Sequence, residues 1–171
     1  MGANANWEAT AHLFEEAASL VSVQDYEQRV QAFSLGPPRL DWSVPEAFLA
    51  VLLAAAYADK EVSPEEQEQL KGLRKRSRIL KALTNDQVNK ANASAMQKLQ
   101  QRGDAGLLEA CECLPNMLRL PVFALAIDLV LADGKLTQSE REFISKIAGW
   151  LQIDKGVEWQ ISQVMLIKNN C

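Results

Sequence analysis

One acidic motif occurs twice in this chain, and the second copy begins seventy-four residues after the first. The copies are residues 58–66 (ADKEVSPEE) and residues 132–140 (ADGKLTQSE). In both, an apolar run ends in Ala-Asp, an aliphatic residue and then Ser or Thr follow, and a Glu stands seven positions after the Asp. This repeat predicts two related helix–turn–helix units, which we place at residues 47–73 and 121–147.

The composition fits one globular domain that spans residues 1–171. Hydrophobic residues make up 48% of the chain and charged residues 23%, which argues against extended disorder. Apolar residues recur at helical spacing almost throughout, and no segment shows the alternation of a strand. We therefore expect an all-α fold, a compact bundle of about seven to eight helices.

Local signals place the starts and ends of these helices. Residues 84–87 (TNDQ) open a long helix, and residues 102–104 (RGD) are predicted to end it before a shorter helix follows. Three further starts have the spacing of a capping box, in which a Ser or Thr precedes a Glu by three positions. These pairs are Ser43 with Glu46, Ser63 with Glu66, and Thr137 with Glu140.

Charge and targeting signals favour a cytoplasmic protein without an integral membrane segment. The longest apolar run, residues 47–58, is too short to cross a bilayer, and residues 1–10 lack the pattern of a signal peptide. The net charge of −4 gives no general attraction to nucleic acid. Basic residues between Lys71 and Lys81 are best explained by the negative end of a helix dipole. Cys111 and Cys113 are predicted to be packing thiols.

The acidic turns have a structural interpretation and a functional one. Glu66 and Glu140 are explained by capping, and Asp133-Gly134 by turn formation. Alternatively, residues 133–140 reproduce the second half of an EF-hand calcium loop. The first half fails, because Leu129 and Leu131 occupy its carboxylate positions, so a standard EF-hand is excluded. Acids from two adjacent hairpins would still form an oxygen-rich cation site.

The doubled motif in an all-helical chain resembles the TerB-like tellurite-resistance protein family. Residues 114–115 (LP), 123–127 (FALAI) and 132–134 (ADG) carry the closest likeness. The second motif is the more specific, because Lys60 of the first stands where the family usually has Gly.

The resemblance implies a pseudosymmetric helical bundle with a non-enzymatic role. In this family, acidic metal-binding sites serve stress-response complexes, some of them at the inner membrane. The resemblance makes four residues the candidate ligands of Ca²⁺, Mg²⁺ or Zn²⁺, with no organic cofactor: Asp59, Glu66, Asp133 and Glu140. It also implies protein partners from such a complex and allows peripheral membrane association. The ammonium group of Lys60 weakens the site in the first turn.

The main alternative is a helical enzyme that uses these carboxylates for acid–base or metal-assisted chemistry. The sequence has no Gly-rich phosphate loop and no nucleophile–base pair, and His12 is its only histidine. We therefore predict that the protein is not an enzyme. A deep polar pocket that joins the acids would favour the enzyme, and acids near the surface would favour binding.

Two further residues have open interpretations. Asp128 interrupts the apolar run of residues 122–131, so it lies either at an exposed helix edge or buried with a partner. Its counterpart in the first unit is Ala54, so an accessory acidic role would belong to the second unit alone. Trp42 lies in a loop and is either a core or edge aromatic or a contact residue.

Overall fold

The computed structural model of the chain describes residues 27–28, 30–31, 41–58, 72–73, 77, 80–132 and 136–169. These residues contain five α-helices and one short 3-10 helix, and none of them lies in a β-strand. The all-α class is therefore confirmed. The elements are α1 (Val44–Ala56), the 3-10 helix (Leu80–Ala82), α2 (Asn85–Cys113), α3 (Asn116–Val130), α4 (Gln138–Trp150) and α5 (Lys155–Asn169).

The five α-helices of the described residues do not match the seven to eight that the sequence predicts. One reason is that α2 joins two segments that the sequence separates at residues 102–104. Only Gly103 leaves the helical region there, with φ 55° and ψ −133°, and the helix then resumes. Glycine has no Cβ and adopts this φ at little steric cost. The helices predicted before residue 36 and after Ser63 lie largely outside the described residues.

Helix α1 is the centre of the core. Ten of its thirteen residues are buried, and it packs against α2 and α3. Phe48 and Leu52 are fully buried, and burial of such a side chain contributes about 1.5–3 kcal/mol. This central position explains why the longest apolar run of the sequence, residues 47–58, lies mainly in this helix. Among the described residues, no helix combines the length and apolar character needed to cross a membrane.

A polar network around Trp42 fastens the start of α1 to α2. The ring is fully buried, and its Nε1 donates a hydrogen bond to Glu109 Oε2 at 3.2 Å. Cys113 Sγ donates to the carbonyl of Trp42 at 3.2 Å, and Lys98 Nζ lies 4.8 Å from the ring centroid. Trp42 is therefore a core aromatic, and an exposed contact role for it is wrong.

Arg102 extends this network, because it bridges Asp41 and Glu109 on the two sides of the contact. Its hydrogen bonds lower the pKa of both carboxyl groups. Burial raises the pKa of the Cys111 thiol to about 12, which keeps it protonated and unreactive. Cys111 and Cys113 are both buried and free, as the packing interpretation predicts.

Candidate functional site

The second acidic motif leads from the end of α3 into the start of α4. Thr137 is the N-cap of α4, and its hydroxyl accepts a hydrogen bond from the backbone N–H of Glu140 at 3.3 Å. Glu140 Oε2 accepts one in return from the backbone N–H of Thr137 at 2.6 Å. The capping box that the sequence predicts is therefore present.

Glu140 is also one of the two buried acids in the part of the chain that the structure describes. Its exposed fraction is 3%. The cap occupies Oε2, and no described residue donates a hydrogen bond to Oε1 or forms an ion pair with this carboxylate. A buried carboxylate without a cation beside it is unfavourable. An oxygen in this position suits a hard divalent cation.

The other three predicted ligands, Asp59, Glu66 and Asp133, lie outside the described residues. The structure therefore gives no distances among the four acids, and their convergence stays a prediction. The expected capping box of Ser63 and Glu66 lies outside as well. Within the described ranges, no group of three or more His, Cys, Asp or Glu side chains is arranged to hold a metal ion.

The helices that enter the two acidic turns end with the same backbone hydrogen bonds. At the end of α1, the Tyr57 N–H contacts the carbonyl oxygens of Leu53 and Ala55. At the end of α3 the same two bonds recur seventy-four positions later, from the N–H of Leu131. The two turns therefore begin from equivalent helix ends. Superposition of the complete units stays a prediction, because most of the second helix of the first unit lies outside the described residues.

Asp128 is the other buried acid among the described residues, with an exposed fraction of 8%. Its Oδ1 accepts hydrogen bonds from Lys168 Nζ at 2.5 Å and from Asn169 Nδ2 at 3.2 Å. It is therefore buried with partners, and a position at an exposed helix edge is wrong. These partners stand about forty positions later on α5, where no local pattern links them to Asp128. Because Lys168 already neutralises it, Asp128 is a poor accessory ligand.

A cavity of about 480 Å³ lies where α1, α2 and α4 meet. Its lining is mainly apolar and includes Leu53, Leu107 and Phe143. The charged residues of the lining, Asp104 and Lys146, are paired with each other at 2.9 Å. Glu140, the one predicted ligand among the described residues, does not line this cavity, so the described lining forms no polar pocket around it.

A comparison with protein families identifies the chain. The family model described as "Tellurite resistance protein TerB" matches residues 45–161, about two thirds of the sequence. The match covers α1 from its second residue, all of α2 to α4, the first seven residues of α5 and both acidic motifs. No curated protein and no solved structure matches the chain. This chain belongs to the TerB family of tellurite resistance proteins.

Proposed function

We propose that this TerB-family protein is not an enzyme and that it binds a divalent cation through its acidic turns. The observation that carries the proposal is the state of Glu140. Its carboxylate is buried, one oxygen caps α4, and no cationic side chain of the described residues pairs with it. A cation held between Glu140 and Asp133 would neutralise this charge at the turn.

The chemistry of the ligands favours Ca²⁺ or Mg²⁺ over Zn²⁺. All four candidates are carboxylates, Asp59 and Glu66 in the first turn and Asp133 and Glu140 in the second. Hard oxygen donors of this kind suit Ca²⁺ and Mg²⁺, whereas zinc sites in proteins are usually built from Cys and His. The second turn is the stronger site, because Lys60 adds a positive charge to the first.

The cation would act by ordering a turn that a partner recognises. The second acidic turn joins α3 to α4, and the sequence predicts the same arrangement for the first, so an ion between the entry Asp and the Glu of a turn would fix the loop that connects the two helices. Family membership supports a place in a stress-response complex, and the composition supports the cytoplasm. The partner would be another protein of that complex, which meets the ordered turn.

An enzyme remains the alternative, and the described residues give it little support. Acid–base or metal-assisted hydrolysis needs a cavity that brings a substrate to the carboxylates. The cavity of about 480 Å³ is apolar, and its Asp104–Lys146 pair is internally neutralised. A binding role requires no such cavity, but only that an ion can reach the acids at a turn.

Thermal denaturation in the presence and absence of each ion tests the proposal. After treatment with a chelator, Ca²⁺ or Mg²⁺ should raise the stability of the protein as its concentration increases. At a hundredfold excess over Kd the expected gain is about 2.7 kcal/mol. Asp133→Asn should abolish the gain, and the ion-free variant should be as stable as the parent or slightly more so, because one repelling charge is removed.

The matched variant is Asp59→Asn, which makes the same change in the first turn. It should reduce the gain less than Asp133→Asn does, because Lys60 stands beside Asp59. If Asp133 only shapes a turn, Asn fits the same backbone conformation and the ion response survives. An ion response that survives both substitutions would refute the role of the acidic turns.

A further inference from the structure

The connection between α4 and α5 is short and strained. Residues 151–154 link the two helices, and Gln152 has φ 57°, in the left-handed region that favours glycine. The N–H groups of Gln152 and Ile153 bond back to the carbonyls of Gly149 and Ala148, which closes α4 in a Schellman motif. The hinge sequence LQID contains neither Gly nor Pro. If the turn opens, α4 and α5 can therefore continue as one helix.

The helix beyond this hinge is only shallowly packed. None of the fifteen residues of α5 is buried, whereas Ile127, Leu131 and Ile144 in the surface beneath it are. A cleft of about 200 Å³ remains between α5 and the groove formed by α3 and α4. Helix α5 therefore covers an apolar groove without filling it, and it packs against the core only through partly buried side chains, Ile161, Met165 and Leu166.

Polar contacts near the start and near the end of α5 fix its position on this groove. Near its start, Glu158 accepts a hydrogen bond from the Ser145 hydroxyl of α4 at 3.0 Å. Near its end, Lys168 pairs with the buried Asp128 of α3 at 2.5 Å. Asp128 lies at one end of the groove and requires a cation there, because an unpaired buried carboxylate is unfavourable. Whatever helix occupies the groove must therefore bring a basic residue to this position.

A second copy of this chain meets all of these requirements. Its α5 has the same apolar residues for the groove and the same Lys168 for Asp128. Exchange of α5 between two copies would reform every contact of the groove in both copies. It would also remove the strained Gln152 conformation, since each hinge would become helical. Short strained hinges favour this type of exchange.

We propose that this protein forms a dimer by exchanging α5, so that each copy places its Lys168 on the Asp128 of the other. The proposal is independent of cation binding, because it depends on the hinge, the groove and this ion pair. The experiments below are therefore carried out with a chelator present, so that their outcome says nothing for or against a cation site.

The first experiment measures mass by light scattering after size-exclusion chromatography of the full chain, over a range of concentrations. We expect a dimer at high protein concentration that exchanges slowly with the monomer. Gln152→Gly should raise the dimer dissociation constant at least about tenfold, because glycine fits the closed hinge and disfavours the helical one at two positions per dimer. The control is Gln163→Gly on the exposed face of α5, which lies outside the hinge. A wild-type chain that stays monomeric at all concentrations would overturn the proposal.

The second experiment distinguishes exchange from any other mode of dimerisation. Asp128→Lys and Lys168→Asp each place like charges at the contact when a copy closes on itself. When the two variants are mixed, a dimer with exchanged helices restores an opposite-charge pair in both grooves. We expect a mixed dimer that neither variant alone forms, detected by native mass spectrometry with one isotope-labelled chain.

Two further results complete this test. The double variant Asp128→Lys, Lys168→Asp should behave as the wild type, because each copy regains its pair. Circular dichroism verifies that each single variant is folded, and if either is unfolded, the wild type and Gln152→Gly decide the outcome alone. If the wild type forms dimers but the mixture of Asp128→Lys and Lys168→Asp shows no preference for the mixed dimer, the dimer uses a different interface and helix exchange is contradicted.

Discussion

Glu46 and Glu140 occupy the same position in two capping boxes, at the starts of α1 and α4. Each accepts a hydrogen bond from the backbone N–H of its cap residue, at 2.8 Å from Ser43 and at 2.6 Å from Thr137. Around Glu46 the charge is also neutralised by Lys98, whose Nζ lies 3.2 Å from Oε2. Around Glu140 no described residue supplies such a cation, although this side chain is the more deeply buried of the two.

The surroundings of Glu46 show what a structural carboxylate needs. Burial alone would raise its pKa, but hydrogen bonds from Ser94, from the backbone and side chain of Ser43, and from Lys98 outweigh burial, so that the pKa is lowered. The carboxylate form of Glu46 is therefore stabilised by the protein itself. Two motifs of identical spacing therefore differ in their surroundings: Lys98 neutralises Glu46, whereas none of the described residues neutralises Glu140.

The largest expected effect comes from removal of the cap residues themselves. Ser43→Ala and Thr137→Ala should each lower the free energy of unfolding by about 0.5–2 kcal/mol, because a helix N–H group loses its acceptor. Ser63→Ala should do the same if the first acidic turn is capped as its sequence predicts. Urea denaturation measures all three, and an unchanged midpoint would show that the residue concerned is not a cap.

Substitution of each glutamate by glutamine removes the charge and keeps the cap. It should lower the free energy of unfolding at Glu46 but not at Glu140. Glutamine serves in the same position in this chain, since Gln87 Oε1 accepts a hydrogen bond from the Thr84 N–H at 2.8 Å. Glu46→Gln should therefore keep the cap but lose charge-assisted bonds, at a cost of about 1 kcal/mol. Glu140→Gln in ion-free protein should be neutral or stabilising, because it removes a buried charge that no described residue neutralises. Equal losses of unfolding free energy for Glu46→Gln and Glu140→Gln in urea denaturation would contradict this difference between the two glutamates.

A smaller effect is expected in the pH dependence of stability. The pKa of Glu46 is lowered in the folded state, so its contribution is present above the unfolded pKa of about 4.3 and is lost as the pH falls through the folded value. The stability difference between wild type and Glu46→Gln should therefore be constant from pH 7 to about pH 5 and shrink below about pH 4. Denaturation at a series of pH values measures this difference. A difference that grows as the pH falls would mean that the folded pKa is raised.

The local features of the fold could be predicted from the sequence because their partners are close in the chain. The caps at Ser43, Thr84 and Thr137 each join residues three positions apart, and all three are present. The break at Gly103 was also predictable from residue type, although the helix continues after it. The residue type at one position determines the local backbone conformation. Whether a separate helix begins after that position is not a local property.

Contacts between distant segments could not be predicted in this way. Trp42 is buried by residues of α2 that stand 67 and 71 positions later. Asp128 is paired with the last turns of α5, and an acid in an apolar run does not reveal its partner. The sequence placed Glu140 in the acidic motif, but its burial and its lack of a described cationic partner follow only from packing.

Isothermal titration calorimetry on Glu140→Gln and Glu46→Gln tests the cation site most directly. Both variants lose one carboxylate from a capping box, and Glu46 lies outside the acidic turns. Against chelator-treated wild type, Ca²⁺ or Mg²⁺ should bind Glu46→Gln with unchanged affinity and should bind Glu140→Gln at least about tenfold more weakly. Equal binding of the ion to both variants, or no binding to the wild type, would contradict a cation site at the second acidic turn.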